Sequence, residues 1–404
     1  MIQSLPFFTL PAGVKRFLGT ESLYGLSLGM FTLILNLHFI EVGVTEKQIG
    51  WITSMGILVM GAFAIPVSIV AKKTGRKKLL VAGISCLAIG CIIFAIARSF
   101  ALLLCAQLIM SIGFTLVETT EIQLLFHYSK TKRQETQAYS YLFAMFTAFT
   151  GAGLLLGGFL PKWIDVPEQG YQNTLLVISV LLLVLAIIRG SLLPQEVQQR
   201  EQKRGREKKA KISRELWGKL LKFSFFSVLT GAAVSSVQPY LNLFVKLRFD
   251  FSNETVSVIL AMHGLALFIG SVFSPMLIDR FGVRKTFFWI YFLNIAFCLL
   301  LFVNVPPAIF SVLLLVRGGF FTMLTNLVDS LSMSSFKDED RDLYAGMRAV
   351  FRSIGSSVAA FVIGMILAGK NYSLPFLIAG LLLLAGYIYF AKVIRPKFID
   401  SSLE

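Results

Sequence analysis

Residues 79–97 read LLVAGISCLAIGCIIFAIA, nineteen consecutive residues without a charged side chain. A helix rises about 1.5 Å per residue, so this block is long enough to cross a hydrocarbon core of about 30 Å. Eleven other apolar blocks of similar length accompany it, at 17–40, 48–71, 101–127, 137–160, 172–193, 218–246, 254–278, 286–304, 308–334, 343–368 and 374–394. Because a segment in hydrocarbon must satisfy its own backbone hydrogen bonds, the sequence predicts an all-α integral membrane protein with twelve transmembrane helices.

The composition argues against a large soluble helical protein. Hydrophobic residues make up 56% of the chain and charged residues 15%, against roughly 25% charged residues in soluble domains. The helices of a soluble protein need polar outer faces, and these blocks have almost none. The N-terminal region lacks a charged segment followed by a short apolar stretch and a cleavage site, so we expect the first helix to be retained.

The formal net charge of +16 would fit a nucleic-acid-binding protein if the basic residues were not so unevenly placed. All but seven of the 38 Lys and Arg residues lie in alternate gaps between the blocks or at the adjoining helix ends. The seven exceptions are Lys47, Arg98, Lys162, Lys246, Arg248, Arg317 and Lys370. This asymmetry follows the positive-inside rule and predicts a multi-pass protein of a cell membrane with both termini cytoplasmic. It also removes the need for a nucleic-acid partner.

The longest polar stretch, QEVQQREQKRGREKKAKISRELW at 195–217, divides the chain into two parts of nearly equal length. Its high charge and lack of apolar periodicity predict a cytoplasmic linker. The parts on either side, 1–194 and 218–404, each contain six of the blocks, so we expect two six-helix bundles.

The two parts repeat each other at a displacement of 207 residues. AKKTGRKK at 71–78 aligns with IDRFGVRK at 278–285, and the same displacement brings Glu135 onto Asp342. One displacement that serves two separate loops without gaps indicates an internal duplication. The sequence therefore predicts two pseudo-symmetric bundles related by an axis along the membrane normal.

The duplicated loop resembles the signature of the major facilitator superfamily (MFS), G-x-x-x-D-R/K-x-G-R/K-R/K. The second copy supplies Asp279, Arg280, Gly282 and Arg284, and the first supplies Lys73, Gly75, Arg76 and Lys77, with Lys72 at the position of the aspartate. Together with the twelve blocks and the repeat, the resemblance covers nearly the whole chain. It implies the MFS fold and secondary transport by alternating access, in which these loops contact the opposite bundle at the cytoplasmic side.

A second partial match bears on the direction of transport. GLLLGG at 153–158 resembles the G-P-x-x-G-G core of the antiporter signature, through Gly153, Gly157 and Gly158. The resemblance implies the drug/proton antiporter branch, and close packing of two helices is the alternative. Gln107 stands where proton antiporters of the family often carry an arginine, so carboxylates would have to provide the coupling.

Ionisable and polar side chains inside the hydrocarbon are costly, and each therefore raises a functional hypothesis. In the family, helices one, four, seven and ten line the central cavity, and all four corresponding blocks carry polar residues here. The candidates for substrate contact or proton coupling are Tyr24, Asn36, Thr115, Glu118, Glu121, Gln238, Asn242, Asn326, Asp329 and, on the eleventh block, Arg352. Glu21, near the cytoplasmic end of the first block, is interpreted as a solvated acid at a helix start.

Glu118 and Glu121 lie about one helical turn apart, so two carboxylates share a low-dielectric region. Their repulsion favours a proton on one of them, as a site that exchanges a proton for a cationic substrate requires. The alternative is a permanent ion pair, in which Arg348 or Arg352 neutralises Glu121 or Asp329.

These features predict a secondary transporter that exports a small amphipathic or hydrophobic organic compound in exchange for protons. The alternative is a proton-coupled importer of a small metabolite or organic anion, with Arg352 as the carboxylate clamp. No nucleophile–base pair, metal cluster or phosphate loop is evident, so neither an enzyme nor a cofactor is expected. The expected partners are the substrate, protons and the lipid bilayer, and we expect a monomer.

Overall fold

The protein is described by a computed structural model that covers residues 10–164, 170–196 and 213–395. Within these ranges it consists of helices joined by short loops, and no strand occurs among the described residues. Twelve helical spans are long and apolar enough to cross a membrane. The predicted all-α class and the number of transmembrane helices are confirmed.

The helices of the first half are α1 (Ala12–Glu41), α2 (Glu46–Thr74), α3 (Arg76–Ile96), α4 (Phe100–Tyr128), α5 (Lys132–Trp163) and α6 (Gly170–Leu192). Those of the second half are α7 (Arg214–Ser235), α8 (Leu241–Phe249), α9 (Asn253–Phe281), α10 (Val283–Phe302), α11 (Pro307–Ser334), α12 (Asp338–Ala368) and α13 (Leu374–Tyr389). A π-helical turn at Phe390–Ile394 extends α13. Since α7 and α8 form one span, each half contributes six spans.

The seventh span is broken, where the sequence predicted one continuous helix over 218–246. A 3₁₀ turn at Gln238–Tyr240 separates α7 from α8. Pro239 has no backbone N–H to donate, and its ring disfavours helical geometry at Gln238, so the α-helical ladder ends before it. The prediction was wrong at this point because it relied on hydropathy alone.

Helix bounds confirm the internal duplication. The ranges Glu46–Thr74 of α2 and Asn253–Phe281 of α9 differ by 207 positions at both ends. The starts of α3 and α10, and of α4 and α11, differ by the same amount. The glycine of each duplicated loop has a positive φ, 92° at Gly75 and 75° at Gly282, which a residue with a side chain rarely adopts. Both loops therefore reverse the chain at a glycine, as the repeat predicted.

Glycines also set the closest helix crossings, again once in each half. A Cβ on Gly153 of α5 would lie 2.1 Å from the backbone oxygen of Leu26 in α1. In the second half, a Cβ on Gly355 of α12 would lie 2.1 Å from the backbone oxygen of Val228 in α7. No side chain fits at either crossing, so Gly153 within GLLLGG serves helix packing, the alternative raised for this stretch.

The two halves are joined at one end of the molecule. We call the end that carries Gly75, Gly282 and the loops 129–131 and 335–337 the basic end, and the other the distal end. Towards the distal end, Ser54 of α2 and Ser357 of α12 share a hydrogen bond of 2.8 Å. Lys370 after α12 contacts Glu46 at 2.5 Å. These contacts between α2 and α12 close the space between the halves on the distal side.

Candidate functional site

A buried ion cluster lies between α1, α4 and α6 of the first half. Arg189 Nη2 donates to Glu21 Oε2 at 2.6 Å, and Nη1 lies 3.4 Å from Glu121 Oε1. Arg189 Nε donates to Thr20 Oγ1 at 3.0 Å. The side chain of Arg189 is fully buried, and Glu21 and Glu121 are 1% and 14% exposed. One guanidinium thus serves two carboxylates in a nearly dry site.

Aromatic rings cover this cluster. The guanidinium carbon of Arg189 lies 4.9 Å from the ring centre of Phe17 and 5.5 Å from that of Tyr24. Cation–π contacts of this kind stabilise a desolvated guanidinium by about 2 kcal/mol. One oxygen of Glu21, Oε1, is buried without a hydrogen-bond partner. A proton on either carboxylate would relieve the surplus negative charge.

The second half holds a cluster of opposite composition between α11 and α12. Arg348 donates through Nη2 to Asp329 Oδ1, and Arg352 Nη1 lies 4.0 Å from Asp329 Oδ2. The side chains of Asp329 and Arg352 are 40% and 36% exposed. Two guanidinium groups therefore share one acid at the edge of an open space. Asp329 forms an ion pair with Arg348 in this structure, one of the pairs that the sequence analysis considered.

Glu118 of α4 faces this second cluster across the space between the halves. It is exposed, and it lies within electrostatic range of both Arg352 and Glu121. A small cavity of about 20 Å³, large enough for one water molecule, lies beside Arg352 and Asp329 and reaches Thr325. Glu118, Arg352 and Asp329 thus form the polar surface that a substrate between the halves would meet.

The remaining polar candidates are not gathered at this surface. Asn36 Nδ2 donates to Asn242 Oδ1 at 3.0 Å and to the backbone oxygen of Pro239, and Asn242 Nδ2 donates to the backbone oxygen of Leu33. These two residues join α1 to α8 towards the distal end. Gln238, in the adjoining 3₁₀ turn, is exposed.

Two further candidates are engaged within their own half. Thr115 Oγ1 donates to the backbone oxygen of Ser111, one turn earlier in α4. Asn326 Nδ2 donates to Ser271 Oγ of α9 at 3.1 Å. The two candidates on α11 therefore have different partners, because Asn326 contacts α9 whereas Asp329 contacts α12.

The duplicated loops at the basic end differ in their contacts. In the first, Arg76 Nη1 lies 2.6 Å from Glu196 Oε1, and Lys77 donates to the backbone oxygen of Leu193. In the second, Asp279 and Arg284 are exposed. Asp279 forms no hydrogen bond or ion pair with the first half among the residues that the structure describes. The side chain of Lys72 lies outside the described part of the chain.

The sequence did not identify Arg189 as a site residue, and the prediction made for Glu21 was wrong. The sequence predicts that Arg189 is one of the basic residues at the cytoplasmic helix ends, whereas it lies at the centre of a buried cluster. The sequence predicts a solvated acid at Glu21, whose side chain is instead 1% exposed. The available signal was the carboxylate itself: an acid inside an apolar helix needs a cationic partner.

Known proteins share both the sequence pattern and the fold. A sequence profile of the Major Facilitator Superfamily matches residues 17–252 and 223–401. A gallate transporter of Pseudomonas putida is 30% identical over 160 residues, which span 39% of this chain and 33% of that protein.

Solved structures with this fold include the nucleoside transporter NupG, with a TM-score of 0.75 and 13% identity. Another is a D-xylose–proton symporter, with a TM-score of 0.73 and 11% identity. In both cases 94% of this chain aligns with 98% of the other. At this level of identity the likeness concerns the fold alone.

Proposed function

The chain belongs to the Major Facilitator Superfamily, and from this premise we propose that it is a multi-pass secondary transporter that carries a small organic anion together with protons. Arg352 binds the carboxylate of the substrate, and Glu118 carries the coupling proton. The observation on which this rests is the composition of the second cluster, where Arg348 and Arg352 share the single acid Asp329.

The surplus of positive charge favours an anionic substrate. Arg348 is the closer partner of Asp329, so the side chain of Arg352, 36% exposed, is the one available to a ligand. A planar guanidinium binds a carboxylate through two parallel hydrogen bonds, which fixes the ligand in orientation as well as in position. A cationic substrate would be repelled at the same place.

Coupling follows from the position of Glu118 opposite Arg352. Arg352 lies within electrostatic range of Glu118, so its positive charge attracts the carboxylate in the free protein. A bound carboxylate on Arg352 cancels that effect and adds a negative charge nearby, so the binding of a proton to Glu118 becomes more favourable. Substrate and proton therefore bind together, which is the condition for symport.

The buried cluster of the first half is the second place for a proton. Glu21 and Glu121 exceed Arg189 by one negative charge, and Glu121 lies within electrostatic range of Glu118. A proton that moves between Glu118 and this pair keeps the charge of the first half constant as the halves rock. We assign Arg189 a positioning role, since it is fully buried.

The direction proposed is import, and the match to a gallate transporter supports an aromatic carboxylate as cargo. We further propose that the basic end is cytoplasmic. A cysteine at Lys130, which is exposed at the basic end, should then react with an impermeant maleimide only after the membrane is opened. Reaction in intact cells would contradict the proposed orientation.

Transport by purified protein in proteoliposomes tests the proposal directly. Labelled gallate is offered outside under an inward proton gradient, and methyl gallate serves as the uncharged control. We expect gallate to accumulate and to carry protons inward, with no comparable uptake of the ester.

Export of an amphipathic or hydrophobic compound, the first prediction from the sequence, would give the opposite result. Uncharged amphipathic compounds would then leave the vesicles in exchange for protons, and gallate would not accumulate. That outcome would contradict the proposal for Arg352 and favour the antiporter interpretation of the first half.

A further inference from the structure

A large cavity lies at the surface of the second half, away from the space between the halves. Its volume is about 410 Å³, and it sits at the start of α10, against α11 and α13. It is lined by the first two turns of α10, by Leu331 of α11, and by Tyr387 and Arg395 at the end of α13. The π-helical turn that extends α13 forms one of its walls.

The lining combines positive charge with aromatic surface. Arg284, Lys285 and Arg395 are its charged side chains, and no acid lines it in the described part of the chain. Phe288 and Trp289 are 43% and 56% exposed, so they provide an exposed apolar surface at the cavity. A ligand that fits would carry negative charge at one end and apolar chains at the other.

The first half shows what the corresponding position binds. Val283, at the start of α10, corresponds to Arg76 at the start of α3. There Glu196, which follows α6, accepts hydrogen bonds of 2.6 Å from the backbone N–H and from the guanidinium of Arg76. A carboxylate thus fills the position in the first half. In the second half the same helix start adjoins a cavity with three basic side chains.

We propose that this cavity binds an anionic phospholipid from the leaflet at the basic end. The phosphate lies among Arg284, Lys285 and Arg395, in the place that the Glu196 carboxylate takes in the first half. The acyl chains lie along Phe288 and Trp289. Basic pockets between transmembrane helices at a cytoplasmic surface are suited to such headgroups. The inference does not depend on the substrate, because the cavity is separate from Arg352 and Glu118.

Fluorescence of Trp289 tests the proposal in the full-length protein. Trp51, Trp163 and Trp217 are replaced by Phe, and the variant is placed in vesicles of phosphatidylcholine that contain brominated phosphatidylglycerol or brominated phosphatidylcholine. We expect the anionic lipid to quench Trp289 at about fivefold lower mole fraction than the zwitterionic lipid. Replacement of Arg284, Lys285 and Arg395 by Gln should bring the ratio to about one.

Two controls separate this site from general attraction to a basic surface. Lys130→Gln with Lys132→Gln removes charge from the same end of the protein and should leave the ratio unchanged. The charge-conserving variant Arg284→Lys, Lys285→Arg, Arg395→Lys should also keep the preference. An unchanged ratio in the triple Gln variant would overturn the proposal. Quenching that appears only after the chain is truncated at Arg395 would also overturn the proposal. The residues after Arg395 would then be the natural occupant of the cavity.

Discussion

The two halves descend from one repeat, yet their ion clusters have opposite compositions. In the first half one arginine, Arg189, lies between two acids and is fully buried. In the second half one acid, Asp329, lies between two arginines and is 40% exposed. The duplication therefore preserved the helices but not the charges between them.

The difference in burial assigns different tasks to the clusters. A dry cluster must be paired, because an isolated charge inside the protein is costly, and it therefore holds α1, α4 and α6 together. In a cluster that is open to the space between the halves, a ligand can replace an ion-pair partner at little cost to the stability of the fold. The first is suited to hold a proton and the second to bind an anion.

Removal of Arg189 should produce the largest effect. Arg189→Met leaves Glu21 and Glu121 buried without a cation, and we expect about 3–5 kcal/mol of destabilisation and loss of transport. Melting of the purified protein in detergent, followed by size-exclusion chromatography, measures this. The matched variant Arg352→Met should melt within a few degrees of the wild type. If the two variants had the same melting temperature, the buried first cluster would not stabilise the fold more than the exposed second cluster does.

The second-largest effect is expected from substitution of Arg352, which should impair transport without unfolding the protein. Arg352→Gln removes the proposed carboxylate clamp, and we expect uptake of gallate to fall about 100-fold. Arg352→Lys, which keeps the charge but not the planar fork, should retain more. Initial rates in proteoliposomes provide the measurement. Should Arg348→Gln prove as damaging as Arg352→Gln with the fold intact, the two arginines would share the ligand.

Substitutions of the two acids of α4 should affect proton coupling more than substrate binding. Glu118→Gln mimics a permanently protonated side chain, so we expect gradient-driven accumulation to fall about tenfold while exchange of labelled for unlabelled substrate persists. Glu121→Gln, whose partner is buried, should lower accumulation less. Accumulation and exchange are measured at several values between about pH 6 and pH 8. Normal accumulation by both variants throughout this range would show that neither acid is a coupling site.

The smallest effect is expected at the distal end. The hydrogen bond from Lys370 to Glu46 raises the pKa of Lys370, so the charged contact is complete at neutral pH and is lost as the pH rises through that raised value. Exposed pairs contribute about 0–1 kcal/mol, which changes an equilibrium between two states a few-fold. Lys370→Glu should therefore favour opening of the distal end, and Lys370→Glu with Glu46→Lys should restore closure.

Distances between spin labels on the distal ends of α2 and α12 report this equilibrium. The shift should shrink at high salt, because the side chain of Lys370 is 69% exposed. A distance distribution that does not respond to the single reversal at low salt would leave the pair without a role in closure.

The sequence predicted those parts of the structure that hydropathy and local geometry determine. The helix spans and the glycine turns at Gly75 and Gly282 follow from residues that are close in the chain. The partners of Arg189 do not, since Glu121 and Glu21 lie 68 and 168 positions away. The local sequence does not distinguish a basic residue that anchors a helix end from one whose side chain turns inward. The orientation of the side chain depends on how α6 packs against α1 and α4.

The candidate site was predicted in its residue types but not in its grouping. Glu118, Asp329 and Arg352 meet at the open surface, whereas Asn36 and Asn242 lie at the closed end. A helical repeat of about 3.6 residues shows which side chains share a face, and it does not show which neighbouring helix that face meets. The break at Pro239 also places Gln238 in a 3₁₀ turn and Asn242 in a separate helix, α8, where the sequence predicted one continuous helix.

The contact between Ser54 and Ser357 gives a means of arresting the transport cycle. Their Oγ atoms lie 2.8 Å apart across the seam between α2 and α12. Cysteines at both positions are within reach of a disulfide, which would fasten the distal seam and keep the molecule in one state. In such a trapped protein, equilibrium titration with a ligand would report the affinity of that state alone, and a reducing agent would return the same sample to turnover.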